Sequence, residues 1–291
     1  MFHGSLVALV TPMRQDGAVD YDCMRQLIDW HVAEGTGALV IAGTTGESPT
    51  LDKTEHIEVI AAAVEFAAGR IPVIAGTGSN STSQTVELSQ AVGKYPIAGY
   101  LVVTPYYNKP TQRGLIEHFR AVADAVDQPV MLYNVPGRTA ADLLPDTVAV
   151  LAEHTRIFGI KEATGDVSRV DKLRDLCGEE FGLYSGDDPT ARAFMLRGGQ
   201  GVVSVTANVA PAQMAAMCRA AVAGDSMLAA ELDEKLTALH RDLFVEANPI
   251  PVKWALERMG RIGGQIRLPL TRLEEAHRAP VEAALRHAGL L

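Results

Sequence analysis

The 291-residue chain is poor in cysteine, in lysine and in concentrated positive charge. Its three cysteines, Cys23, Cys177 and Cys218, lie scattered in helix-like stretches with no CxxC pair and no Cys/His cluster. That pattern excludes a disulfide framework and a thiolate zinc site, and leaves the three as reduced packing residues. No basic run interleaves with the aromatics, which are only 5% of the chain, and the net charge is −9. A nucleic-acid footprint is therefore missing, and small solutes are the expected partners. The start, Met1-Phe2-His3-Gly4-Ser5, has no basic stretch, and the apolar run at 6–10 is too short for a secretory core or a membrane span. The expected location is the cytoplasm, with no membrane partner. HExxH, Gly-x-Ser-x-Gly, GxGxxG and a Walker lysine are all absent, so zinc-protease, α/β-hydrolase, dinucleotide-binding and P-loop chemistries drop out.

What the chain does have is 47% hydrophobic residues, enough for a large core, gathered into eight short runs rich in Val, Ile and Leu. They fall at 5–10, 37–42, 71–75, 98–103, 129–134, 157–161, 181–185 and 201–205. Each is continuously apolar instead of alternating, the pattern of parallel strands covered on both faces. Helical patterns lie between them, for example at 20–34, 52–68, 82–92 and 111–126, several opened by Asp, Ser or Thr caps. Eight such units predict a closed (β/α)₈ TIM barrel. The competing open, doubly wound sheet needs a Gly-rich turn after its first strand, and Thr11-Pro12-Met13-Arg14 is not one. After the eighth run only helical patterns follow, at 211–223, 225–245, 250–259 and 272–287. The expected division is a barrel over 1–224 and a small helical domain over 225–291, with Met214, Met217, Leu228, Leu232, Leu236, Leu239 and Leu243 as its packing stripe.

Barrel enzymes build their sites at the carboxyl ends of the strands, and those ends are unusually polar in this chain. Of seven lysines, only Lys161 closes an apolar run, Ile157-Phe158-Gly159-Ile160-Lys161; the other six fall in helices or polar loops, so it alone is expected to be buried. Burial disfavours an ammonium and leaves more of the free amine that attacks carbonyls; the plainer alternative is a strand-end lysine with its head in water. Run two ends in Gly43-Thr44-Thr45-Gly46-Glu47-Ser48, either a backbone nest for a carboxylate or an ordinary βα connection. Run four ends in Thr104-Pro105-Tyr106-Tyr107-Asn108, presenting two phenols, of which at least one is expected to pack. Run five ends in Tyr133-Asn134-Val135-Pro136-Gly137-Arg138-Thr139, a phenol followed by a guanidinium able to grip a carboxylate. Tyr133, Thr44 and Tyr107 would form a hydroxyl relay if they converge near Lys161. Gly76-Thr77-Gly78-Ser79-Asn80 is an anion nest or a helix cap, and Asp187-Asp188 before Pro189 is read as a cap in preference to a metal site.

In Gly43-Thr44-Thr45-Gly46-Glu47, Tyr133 through Thr139 and Gly159-Ile160-Lys161-Glu162-Ala163, taken in this order, the chain resembles the dihydrodipicolinate synthase branch of the pyruvate-dependent class I aldolases. Thr104-Pro105-Tyr106-Tyr107 and Asn248-Pro249-Ile250-Pro251-Val252-Lys253 extend the resemblance from end to end. It implies condensation of pyruvate with L-aspartate 4-semialdehyde in the diaminopimelate route to lysine, with no metal and no cofactor. It implies Lys161 as the imine-forming amine and Tyr133 as proton donor and acceptor, with Thr44 and a Tyr107 from a neighbouring subunit completing the relay. Thr45 and Val203 would seat pyruvate, Gly186 would shape the pocket and Arg138 would hold the aldehyde's carboxylate. The implied assembly is a homotetramer, a dimer of tight dimers.

N-acetylneuraminate lyase and the keto-deoxy sugar acid aldolases share the Gly43–Glu47 turn and Lys161, but the Pro136-Gly137-Arg138-Thr139 turn is typical of the synthase. A keto-acid binding protein would be expected to have lost the lysine or the tyrosine. Feedback-inhibited members bind L-lysine in a pocket matching Ser48, Pro49, Lys53, His56, Asn80, Gln84 and Tyr106. They typically carry Glu at the position of Gln84 and often His at that of Lys53. Losing an acid and gaining a cation both weaken attraction for an ammonium-bearing effector, so weak or absent lysine inhibition is expected.

Overall fold

The computed structural model describes all 291 residues, Met1–Leu291. The eight apolar runs become the strands β1 (Gly4–Ala8), β2 (Ala38–Ile41), β3 (Val73–Gly76), β4 (Gly99–Val103), β5 (Val130–Asn134), β6 (Ile157–Glu162), β7 (Gly182–Ser185) and β8 (Gly201–Ser204). Every neighbour pair is parallel, and β8 pairs with β1 to close the barrel. The predicted (β/α)₈ architecture is thus the observed one. The helices are α1 (Tyr21–Ala33), α2 (Lys53–Ala67), α3 (Thr82–Val92), α4 (Gln112–Asp124), the short turn α5 (Pro136–Thr139), α6 (Pro145–Ala152), α7 (Ser168–Cys177), α8 (Ala191–Leu196) and α9 (Pro211–Val222). Then come α10 (Ser226–Glu234), α11 (Thr237–Asp242), α12 (Ile250–Arg258) and α13 (Glu275–His287).

The continuous apolar character of the strands has a direct cause in the two layers they separate. Leu6, Ala8, Ala38, Val40, Ile74, Leu101, Met131, Tyr133, Tyr184 and Val203 face inward and fill the barrel. Their sequence neighbours Val7, Leu39, Ile41, Val102, Leu132, Ile160, Leu183 and Val202 face outward into the core beneath the helices. Each fully buried Val, Leu or Ile contributes roughly 1.5–3 kcal/mol relative to exposure. The helix starts are set by side-chain caps: Asp20 accepts from the Cys23 amide, Asp52 from Glu55, Ser81 from Gln84, Thr111 from Gly114 and Asp225 from Leu228. A cap of this kind is worth about 1 kcal/mol.

The tail departs from expectation in two places. The helix read over 225–245 is broken at Lys235-Leu236 into α10 and α11. Leu228, assigned to the packing stripe, is 44% exposed beside a Met227 that is 84% exposed, whereas Leu236, Leu239 and Leu243 are buried. Restarting the helix at Thr237 changes which face meets the core, so one stripe cannot run across both pieces. No helix is long and apolar enough to cross a membrane.

Candidate active site

Strand register brings the central residues together. Tyr133 on β5 pairs with Lys161 on β6, and Lys161 with Tyr184 on β7. Because side chains alternate along a strand, these three share the inward face while Asn134, Glu162 and Ser185 face the helices. The Lys161 amine lies 4.1 Å from the centroid of the Tyr133 ring, and the residue is only 6% exposed. The buried alternative, not the solvated strand end, is therefore the observed one. Tyr184 closes the floor: its hydroxyl donates to the Phe2 carbonyl at 2.9 Å and accepts from the Phe2 amide at 3.1 Å. On the outward face Arg169 lies 3.0 Å from Glu162, which also accepts from Asn134 and the Thr164 amide. Burial pushes the Glu162 carboxyl up, against the pull of the Arg169 guanidinium. This outer network fixes the ends of β5 and β6, and with them the relative placement of Tyr133 and Lys161.

Gly186 forms one wall of the site. A Cβ there would sit 2.6 Å from Ala163 Cβ and 2.9 Å from Lys161 Cε, so only glycine lets the lysine stem pass. Val203, on the inward face of β8, is 1% exposed. Asp187 accepts from the Thr190 amide and hydroxyl, which is the cap arrangement expected of it. Asp188 is buried and accepts from Ser204 Oγ and the amides of Val205 and Thr206, tying the end of β7 to the end of β8.

The Gly43–Ser48 turn is tightly wound. The amides of Gly46 and Ser48 donate to the Gly43 carbonyl and that of Glu47 to Thr44, while the amides of Thr44 and Thr45 have no protein acceptor. Two free donors at the mouth of a barrel suit a carboxylate. Thr11 Oγ1 donates to the Gly46 carbonyl at 2.7 Å. Glu47 adopts φ +57° and buries its carboxylate, which accepts from Lys253 Nζ at 2.5 Å and from the Arg267 amide at 3.1 Å. Lys253 corrects the expectation that Lys161 alone would be buried: it is 2% exposed. Burial depresses its ammonium pKa, against the attraction of Glu47. In sequence it reads as an ordinary helical lysine, since its partner lies 206 positions away. Asn248, just before α12, likewise carries no chemical signal of its own in the sequence; its side chain donates to Thr45 Oγ1 at 3.0 Å.

A cleft of about 550 Å³ opens beside this turn. Its lining includes Thr44, Val135, Arg138 and Thr139, and also Ser48, Pro49, Lys53, His56, Gln84 and Tyr106. Arg138 is exposed, and its guanidinium donates to the Asn248 carbonyl at 3.3 Å. Lys53 is ion-paired with Glu87, and Gln84 accepts from Ser79 Oγ. His56 is buried and donates through Nε2 to the Gly76 carbonyl; burial lowers its pKa, with that hydrogen bond opposing. Asn80 accepts from the Asn108 side chain through its carbonyl and is not part of the lining. Neither is Tyr107, which is 88% exposed at φ +74°. A single chain therefore brings Lys161 and Tyr133 together and places Thr44 at the neighbouring cleft, but leaves Tyr107 in solvent.

A model of the dihydrodipicolinate synthetase family matches residues 1–288. The chain is 58% identical over 288 residues to the 4-hydroxy-tetrahydrodipicolinate synthase of Methylibium petroleiphilum, covering 99% of this chain and 98% of that one. It is 56% identical to the enzyme of the same name from Laribacter hongkongensis, over the full length of both. Among solved structures it is similar to the chloride-inhibited dihydrodipicolinate synthase of Acinetobacter baumannii complexed with pyruvate, with a TM-score of 0.99, 50% identity and complete coverage of both chains.

Proposed function

The chain belongs to the dihydrodipicolinate synthetase family, and on that premise we propose that it condenses pyruvate with L-aspartate 4-semialdehyde, the 4-hydroxy-tetrahydrodipicolinate synthase reaction, through an imine on Lys161. It is a lyase of the class I aldolase type. The observation that carries the residue-level reading is the buried Lys161 amine, held over the Tyr133 ring at 4.1 Å.

The free amine of Lys161 adds to the pyruvate ketone, and water leaves as the iminium forms. The positive iminium acidifies the adjacent methyl group, whose proton is lost to give an enamine. Tyr133 moves these protons, with Thr44 and a Tyr107 supplied by a second subunit connecting it to solvent. The enamine carbon attacks the aldehyde, and the new alkoxide takes a proton. The substrate's own amine then adds to the iminium carbon and displaces Lys161 as the ring closes. Thr45 and Val203 seat pyruvate, with the free Thr44 and Thr45 amides facing its carboxylate; Gly186 leaves room for the lysine stem, and Arg138 holds the carboxylate of the aldehyde. The exposure of Tyr107 in one chain supports an assembly in which a second chain completes each site; the family resemblance implies that such tight dimers pair into a homotetramer. The same reading takes residues 1–224 as the catalytic barrel and 225–291 as a helical domain that braces it, and the cytoplasm as its location.

Borohydride reduction in the presence of pyruvate, followed by peptide mapping, tests this. A reduced pyruvyl adduct on Lys161 that L-aspartate 4-semialdehyde discharges supports the condensation. An adduct indifferent to that aldehyde points to a sugar acid aldolase, and absence of any adduct removes the imine.

A further inference from the structure

Asn248 lies in the link between α11 and α12 and is 6% exposed. It touches two groups at the mouth of the barrel through different atoms. Its side-chain Nδ2 donates to Thr45 Oγ1 at 3.0 Å. Its backbone carbonyl accepts from Arg138 Nη2 at 3.3 Å. Its own Oδ1 is buried without a hydrogen-bond partner. A residue kept only for packing would not leave an acceptor stranded, because an apolar side chain of that size fits at less cost.

We propose that Asn248 is a positioning residue that fixes the Thr45 hydroxyl as a donor toward the pyruvate carboxylate. The assignment deepens the site described above and rests on Thr45 being part of the pyruvate seat. A hydroxyl carries one proton and two lone pairs, whereas an amide nitrogen can only donate. With Nδ2 occupying a lone pair of Thr45 Oγ1, the hydroxyl proton is not spent on Asn248, and no protein group accepts it. It remains available to an anionic oxygen. An acceptor in the place of Nδ2 would take that proton and turn lone pairs toward the incoming carboxylate. Arg138 depends on the Asn248 backbone and not on its side chain, so substitutions there act on the pyruvate side of the site and spare the aldehyde side.

The test measures the pyruvate concentration giving half-maximal borohydride trapping of Lys161, together with KM for both substrates and kcat. The proteins are the wild type, Asn248→Ala, Asn248→Asp, Thr45→Val and the double variant Thr45→Val/Asn248→Ala. Trapping reports only folded protein with a competent lysine, so lower yields do not imitate the effect. Asn248→Ala is expected to raise half-saturation roughly three- to tenfold, the worth of one neutral hydrogen bond. Asn248→Asp should raise it by about a further tenfold or more, since it takes the hydroxyl proton and sets a negative charge beside the substrate's. The aldehyde KM and the kcat at saturating pyruvate should stay within about twofold, because Arg138 keeps its backbone partner and Lys161 is untouched. In the Thr45→Val background, Asn248→Ala should add nothing. Equal effects of Ala and Asp, a matching rise in both KM values, or additivity with Thr45→Val would each overturn the proposal. If Thr45→Val itself leaves half-saturation unchanged, the premise about Thr45 fails and the proposal falls with it. Should Asn248→Asp not fold, the cycle of alanine and valine variants decides alone.

Discussion

Gly186→Ala probes the wedge that holds the buried Lys161. The added methyl would lie 2.6 Å from Ala163 Cβ, 2.9 Å from Lys161 Cε and 3.1 Å from Lys161 Cγ. Carbon atoms pack comfortably at about 3.5–4.0 Å, so the overlap with the lysine stem is roughly half an ångström or more. The backbone cannot retreat, because the Gly186 amide donates to the Glu162 carbonyl at 2.7 Å. The lysine stem is the softest neighbour and should yield, swinging its amine off the Tyr133 ring. Overpacking costs about 1–3 kcal/mol of stability, and a misplacement near 1 Å costs up to roughly 100-fold in rate. The expected result is a rate of pyruvate adduct formation about 10- to 100-fold lower at saturating pyruvate, with a modest loss in urea denaturation. Gly114→Ala, whose methyl meets Pro110 Cβ at an ordinary 3.4 Å, serves as the control. A Gly186→Ala protein that traps pyruvate at the wild-type rate would refute the wedge. So would lost stability with unchanged trapping, which would mean that Ala163 absorbs all the strain.

Lys253→Met strands the Glu47 carboxylate, whose side chain is 1% exposed, and should cost about 3–5 kcal/mol in denaturant unfolding. Adding Glu47→Gln should recover most of that loss, and a double variant as unstable as the sum of the singles would contradict the pairing. His118 and His31 are lowered by burial from an ordinary 6.5 to about 4 and about 3. Since the folded state resists a proton that the unfolded chain accepts, their contribution is complete above about pH 6.5 and is lost as pH falls toward those values. Each group then steepens the acid loss by up to about 1.4 kcal/mol per pH unit; denaturation midpoints flat between pH 6.5 and 5 would exclude this. Tyr107→Phe should slow turnover about tenfold or more if a second subunit delivers its hydroxyl to the relay, and an unchanged kcat would strike it from the mechanism. In the cleft, the Glu87 carboxylate is already taken by Lys53, so millimolar L-lysine should leave the rate nearly constant, whereas a steep decline would show that the effector finds another anion.

Composition and local pattern determined a great deal. Eight apolar runs without alternation require cover on both faces, and a closed barrel with outer helices provides it; the cap residues Asp20, Asp52, Ser81 and Thr111 set the helix starts as expected. Lys161 stands out because an amine ending an apolar strand is conspicuous in the sequence itself. Tyr133, Arg138 and the Gly43–Ser48 turn are visible for the same reason, being polar groups at strand ends. The break between α10 and α11 is less legible, since Lys235-Leu236 continues a good helical pattern and only packing ends it. Lys253 and Asn248 were decided wholly by tertiary structure. Each sits in or beside a helix whose own periodicity says which face is inward but not what waits there, and each finds its partner more than 200 positions away, Glu47 for the charge and Thr45 for the amide. A buried ammonium is tolerable only when its counter-charge is also buried, and chain folding alone brings the two within reach.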